Sequence, residues 1–117
     1  MKFVLADTYT FSWPVKVRMP NPDKPGETVE QSFTGRFKLI PIERLTVMEN
    51  AGRQASDELS ELIREGLVGW SDVIAPDGVE IPFSDDALAR AQRFTPFQTG
   101  VYRAMIDAAR GGAAEKN

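Results

Sequence analysis

Seventeen acidic side chains are the largest store of potential chemistry in this 117-residue chain. Asp57, Glu58, Glu61 and Glu65 recur at spacings of three and four, which sets carboxylates on one helical face. Helix bundles hold metal pairs with Glu in such positions, but they add His ligands and turn the acids inward. This chain has no His and no Cys, and these acids lie opposite the apolar stripe of their own segment. They read as a solvated face. Asp72 to Gly78 with Glu80 lacks the alternating acids and terminal bidentate Glu of a calcium loop. An Asp77-Gly78 turn between short strands accounts for it mechanically. Asp85 and Asp86 follow Ser84 at the start of a helix, where the helix dipole favours negative charge. Tyr9, Tyr102 and the lysines show no partner arrangement that would mark an activated group.

The two absent residue types narrow the classes of function. Without Cys there is no disulfide framework, thiolate nucleophile or Cys-based metal site. Without His, the commonest general acid/base and metal ligand is gone, and a Ser-His-Asp triad with it. No catalytic residue, metal site or cofactor is expected. A net charge of −3 argues against a protein that tracks nucleic-acid phosphates. Lys16, Arg18, Lys24, Arg36 and Lys38, interleaved with Trp13 and Phe33, resemble a single-strand binder only superficially. Alternation puts those aromatics on one face and the bases on the other. The apolar runs are too short to span a membrane, and Asp7 comes too early for a signal peptide. The chain is expected in the cytoplasm in which it is made.

Positioning these residues falls to two halves of different character. Residues 1–40 carry a net charge of +2 and residues 41–117 a net −5, so the halves of separate copies could complement each other. The first half reads as strands. From Phe11 to Met19 the odd positions are apolar and the even ones polar or Pro14, which is period 2. A turn-rich stretch, Pro20 to Glu27, follows. A second alternating run then carries Val29, Phe33, Phe37 and Leu39, interrupted by Gln31 and Gly35. Pairing residues whose numbers sum to 48 joins the two apolar faces: Phe11 meets Phe37, Val15 meets Phe33, and Met19 meets Val29. Arg18 then opposes Glu30 on the wet face, a favourable pair. The expectation is a long β-hairpin with an eight-residue loop. Pro14 has no ladder donor, so its strand should lie at an edge or break there. Phe3-Val4-Leu5 would add a short third strand.

The second half reads as helices. After Pro41, the residues Ile42, Leu45, Met48, Gly52, Ala55, Leu59, Leu62, Leu67 and Trp70 recur largely at spacings of three and four. Asn50-Ala51-Gly52 is a point where this helix would kink or split, and Gly66 and Gly69 mark its end. Val73 to Phe83 predicts two very short strands around Pro76-Asp77-Gly78. Ser84 would cap the next helix, with Leu88, Ala91 and Phe94 on its apolar side. Thr95-Pro96-Phe97-Gln98 matches a capping box. The last helix would run from Pro96 to Ala109 with Phe97, Val101, Tyr102, Met105 and Ile106 inward, ended by Gly111. The fold class is therefore α+β: one domain over residues 1–110, a long antiparallel hairpin followed by three to four helices with a short second hairpin between them. Residues 111–117 would be a disordered tail.

One feature exceeds what folding alone requires of a sequence. The hairpin's apolar face carries Phe11, Trp13, Val15, Phe33 and Phe37. Two strands are not stable alone, so the chain's own helices or another chain must cover them. Open strand edges also invite strand addition by a partner. These five residues, with Trp70, form the candidate partner-binding set, and they favour an interaction protein over an enzyme.

The order of segments resembles the small tail assembly chaperones of long-tailed bacteriophages and prophages. The similar stretches are Phe3-Val4-Leu5 and Tyr9 to Pro20, then Gln31 to Phe37 followed by a charged helix. Leu67-Val68-Gly69-Trp70-Ser71-Asp72-Val73, Asp77-Gly78 and Pro82-Phe83-Ser84 complete the series. Together they cover roughly residues 3–107. The resemblance implies binding to the tape-measure protein, which is kept soluble while tail tube subunits assemble around it. It also implies self-association, a host bacterial cytoplasmic location, absence from the finished virion, and no catalytic residues. The tail tube protein is a further implied partner. A virion structural role, as a tube, terminator or connector subunit, is the competing expectation. The family also extends its C-terminus by ribosomal slippage. Codons GAA-AAA-AAC for Glu115-Lys116-Asn117 would contain the slippery run A-AAA-AAC, and the gene sequence checks this hypothesis directly.

Overall fold

The computed structural model describes residues 1–51 and 57–111. Strand β1 (Thr10–Pro20) pairs antiparallel with β2 (Thr28–Lys38), and every pair in the ladder sums to 48, from Thr10 opposite Lys38 to Pro20 opposite Thr28. The alternation fixes this register because a slip of one residue would turn each apolar face outward. Arg18 faces Glu30 as expected, and its guanidinium donates to Thr28 Oγ1 at 3.4 Å. Just beyond the strands, Leu39 N–H donates to Tyr9 carbonyl at 2.8 Å and Asn21 N–H to Glu27 carbonyl at 2.9 Å. Both pairs are odd-numbered. Antiparallel pairs alternate between bonded and non-bonded, so odd residues bond across the hairpin and even residues aim their backbone groups outward. Pro14, which has no N–H, occupies an outward position on the edge strand of a sheet ordered β1-β2-β3.

The third strand is not Phe3-Val4-Leu5. Those residues form no strand and stay exposed, at 87%, 74% and 87%. The third strand is β3 (Leu67–Ser71), which pairs antiparallel with β2 between Thr34 and Phe37. It takes that place because the preceding helix ends directly beside β2. Thus the segment from Pro41 to Trp70 is not one helix. It forms α1 (Ile42–Ala51) and α2 (Asp57–Gly66), then turns to strand. Of the expected weak point Asn50-Ala51-Gly52, Asn50 and Ala51 are the last described residues of α1, and Gly52 and Ala55 lie outside the described residues. Gly66 ends α2 as expected, in a position where a side chain would strike Met105.

Leu67 and Trp70 were expected to share a helical face. They share a sheet face instead, because the ladder shifts between Arg36 and Phe37. Trp70 pairs with Gly35 and Leu67 with Phe37, leaving Val68 as the extra residue of a bulge. Ile42, placed on the apolar stripe, is 76% exposed, and Leu39 is also exposed. Both lie where the chain crosses from sheet to helix, beyond the reach of the core.

Val73 to Ile81 forms the second hairpin, reduced to a single bridge between Ile74 and Glu80. Gly78 supplies its positive φ of 87°, and Asp77 Oδ1 accepts from Val79 N–H at 3.0 Å. Ser84 Oγ accepts from Ala87 N–H at 3.0 Å and caps α3 (Asp85–Ala91). The capping box at Thr95 does not form. Helix α4 (Thr95–Ala109) starts one residue earlier, with Phe94 as its N-cap and no side-chain cap bond. Gln98 is otherwise engaged: its Nε2 donates to Ser60 Oγ at 2.9 Å and Gln92 Oε1 at 3.2 Å. Phe94, expected on the apolar side of α3, is 60% exposed as a result. Gly111 follows α4 with φ 78°, and residues 112–117 of the expected tail lie outside the described residues.

The result is an α+β fold. The helices cover one face of the sheet, and Val15, Phe37, Met48, Leu62, Ile63, Leu67, Leu88 and Val101 are its most deeply buried large side chains. Phe33 stacks on Phe97 with ring centroids 5.7 Å apart and planes 5° from parallel. Trp70 meets Phe83 edge-on at 5.0 Å and donates Nε1–H to Ile81 carbonyl at 2.8 Å. No described helix is long and apolar enough to cross a membrane.

Candidate docking groove at the hairpin tip

The six residues singled out in the sequence fall on one side of the sheet but not on one surface. Val15, Phe33 and Phe37 are buried in the chain's own core. Phe11, Trp13 and Trp70 are half-buried around it. Phe11 packs on Phe37 at 5.9 Å and edge-on to Trp13 at 6.2 Å. Gly35 lies directly between Trp13 and Trp70 in the cross-strand row. A Cβ there would sit 2.6 Å from Cε2 of Phe37, so the glycine that interrupts the alternation makes room for that ring. The helices thus cover the stretch of hairpin face from Phe11 to Val17.

Toward the tip, coverage stops. Met19 and Val29 are half-buried and Gln31 is exposed, all on the core-facing side. Here a groove of about 710 Å³ opens, with Val17, Met19 and Phe33 along one wall. Ile74, Phe94 and Phe97 contribute to the other. Phe33 alone of the six expected residues lines it. Ile74 and Phe94, each 60% exposed, are its most solvent-facing apolar walls. Sequence periodicity misses Ile74, which belongs to no stripe, and misplaces Phe94 on the apolar stripe of α3, which ends at Ala91. Ile74 sits in a one-bridge hairpin and Phe94 between two helices. The Thr95-Pro96 pair was the available signal: a helix starting there leaves Phe94 outside both helical faces.

The backbone beside the groove is equally exposed. β3 pairs with β2 only from Thr34 onward, and Asp72, with φ 68°, turns the chain away. Asp72 N–H donates to Glu80 Oε2 at 3.4 Å in that turn. Thr28, Glu30 and Ser32 are even-numbered, so their N–H and C=O groups face the side β3 has vacated. The groove therefore joins apolar walls to an open strand edge, the two elements that strand addition needs.

A second groove, about 660 Å³, lies between β1 and α4. Its walls include Lys16, Arg18, Arg103 and Asp107. The acidic clusters are engaged in ion pairs or helix starts: Glu61 with Arg64 at 3.1 Å, and Glu65 with Arg44 at 2.6 Å. Glu49 pairs with Arg110 across α1 and α4. Among the described residues, no three His, Cys, Asp or Glu side chains gather where they could hold a metal ion. No family model matches the chain, and no curated protein or solved structure matches it either.

Proposed function

We propose that the protein is a tail assembly chaperone of a long-tailed bacteriophage or prophage, binding the tape-measure protein in the host bacterial cytoplasm. The open apolar groove at the hairpin tip carries this reading. A domain that covers Val15 and Phe37 completely still leaves Ile74 and Phe94 to solvent around a concave apolar floor. Exposed apolar concavity of this kind suits a client that presents apolar side chains. The resemblance supports the same reading. Two of its segments meet in the fold, where Trp70 packs edge-on against Phe83.

The client's apolar residues would dock against Ile74, Phe94 and Met19, shielding them from aggregation until tube subunits take over. Co-expression with a tape-measure protein tests this. The soluble fraction of that protein should rise, and a complex should be isolated. Ile74→Asp with Phe94→Asp should abolish both effects while the chaperone stays folded. Failure of the unaltered chain to do either rejects the reading. Mass spectrometry of purified particles separates the virion-subunit alternative, which requires abundant copies in mature virions.

A further inference from the structure

We infer that the groove is also a self-association site, in which the Phe3-Val4-Leu5 segment of a second copy adds as a strand to the open edge of β2. Thr28, Glu30 and Ser32 present unpaired backbone groups beside apolar walls. Residues 3–5 present the complement: consecutive large apolar side chains, 74–87% exposed, with no strand partner. Their composition predicts a strand, and the monomer gives it no ladder to join.

A chain cannot satisfy its own groove in this way. Leu5 precedes Thr10 by five residues, which span at most about 18 Å. The open edge lies opposite Lys16 to Pro20 and one strand beyond. Reaching its near end means travelling about 20 Å along the sheet and a further ~10 Å across it. The donor must therefore be another copy.

The chemistry of the segment fits the edge. As a strand, Phe3 and Leu5 would point to one face and Lys2 and Val4 to the other. With Phe3 and Leu5 in the groove, between Met19 and Phe94, Lys2 and Val4 fall on the opposite, wet face, where Glu30 already faces Arg18. Each copy has one segment and one groove, so two copies can exchange segments about a two-fold axis. The self-association stands on the edge and the segment alone. It rests on the chaperone reading only in that the same groove would serve the client, making the two occupants competitors.

Light scattering during size exclusion, on the full chain without client, tests this. The unaltered protein is expected above its monomer mass of 13.0 kDa, with concentration-dependent assembly. Phe3→Ser with Leu5→Ser changes only exposed side chains and should weaken assembly at least tenfold. Ser32→Pro should do the same, since it removes an outward N–H and leaves the bonds to β1 intact. Circular dichroism checks that both variants fold. The absence of native Cys allows a direct readout. A Val4→Cys chain mixed with a Glu30→Cys chain should form a disulfide-linked heterodimer on oxidation. A monomer at every concentration, an assembly that survives either folded variant, or no cross-link overturns the inference. A monomer whose groove is protected only when the tape-measure protein is present also overturns it, and leaves the chaperone reading standing.

Discussion

The two edges of one hairpin face opposite fates. Both β1 and β2 turn their even-numbered backbone groups outward. On β1 those positions include Pro14, Lys16 and Arg18, and α4 presses on the strand so closely that a Cβ at Gly100 would lie 2.5 Å from the Lys16 carbonyl oxygen. A proline, two long cations and a covering helix are the devices by which proteins keep edge strands from pairing. On β2 the stretch from Thr28 to Ser32 has none of them, and it borders the apolar groove. The contrast teaches that open backbone alone does not mark a docking site. On β2 it lies beside uncovered apolar surface, as the proposed docking of a partner requires.

The largest effect is expected at the residue that joins core to groove. Phe33→Ala removes a ring that is 8% exposed and stacked on Phe97. Urea denaturation should show a loss of about 3–5 kcal/mol. A loss under about 1 kcal/mol would mean that the groove floor is not part of the core. On the guarded edge, Gly100→Ala must push backbone against backbone, and about 1–3 kcal/mol should be lost. An unchanged midpoint would show that α4 does not hold β1 in this way. The smallest stability effect belongs to the open wall. Phe94→Ser should shift the midpoint by no more than about 0.5 kcal/mol while weakening client capture. A large destabilisation there would place Phe94 in the core rather than at a docking surface.

The hairpin and its register were legible because alternation with period 2 admits one pairing that keeps both apolar faces together. The cap at Ser84 and the Asp77-Gly78 turn were legible for the same local reason: each residue type has one inexpensive conformation there. The misreadings share a cause in tertiary contacts. Leu67 and Trp70 are three residues apart, a helical spacing, yet a bulge at Val68 brings them to one sheet face. Nothing local announces a bulge whose partner strand lies some thirty residues earlier. Gln98 looked like a capping-box residue, but its amide is drawn to Ser60 on α2. The candidate site was half legible. The apolar hairpin face was evident, but only the packed fold shows that its inner part is covered and its tip is not. Ile74 carries no periodic signature and Phe94 continues the Leu88-Ala91 spacing past the end of α3, so the open wall they make was hidden until the chain was folded around it.

Hydrogen exchange at single-amide resolution tests the central contrast most directly. Amides of Thr28, Glu30 and Ser32 should exchange quickly in dilute protein and slow at least tenfold when a second copy or the tape-measure protein is bound. Those of Ser12, Lys16 and Arg18 should keep the same rates in both conditions. Protection that appears on β1 instead, or on neither edge, would contradict the account.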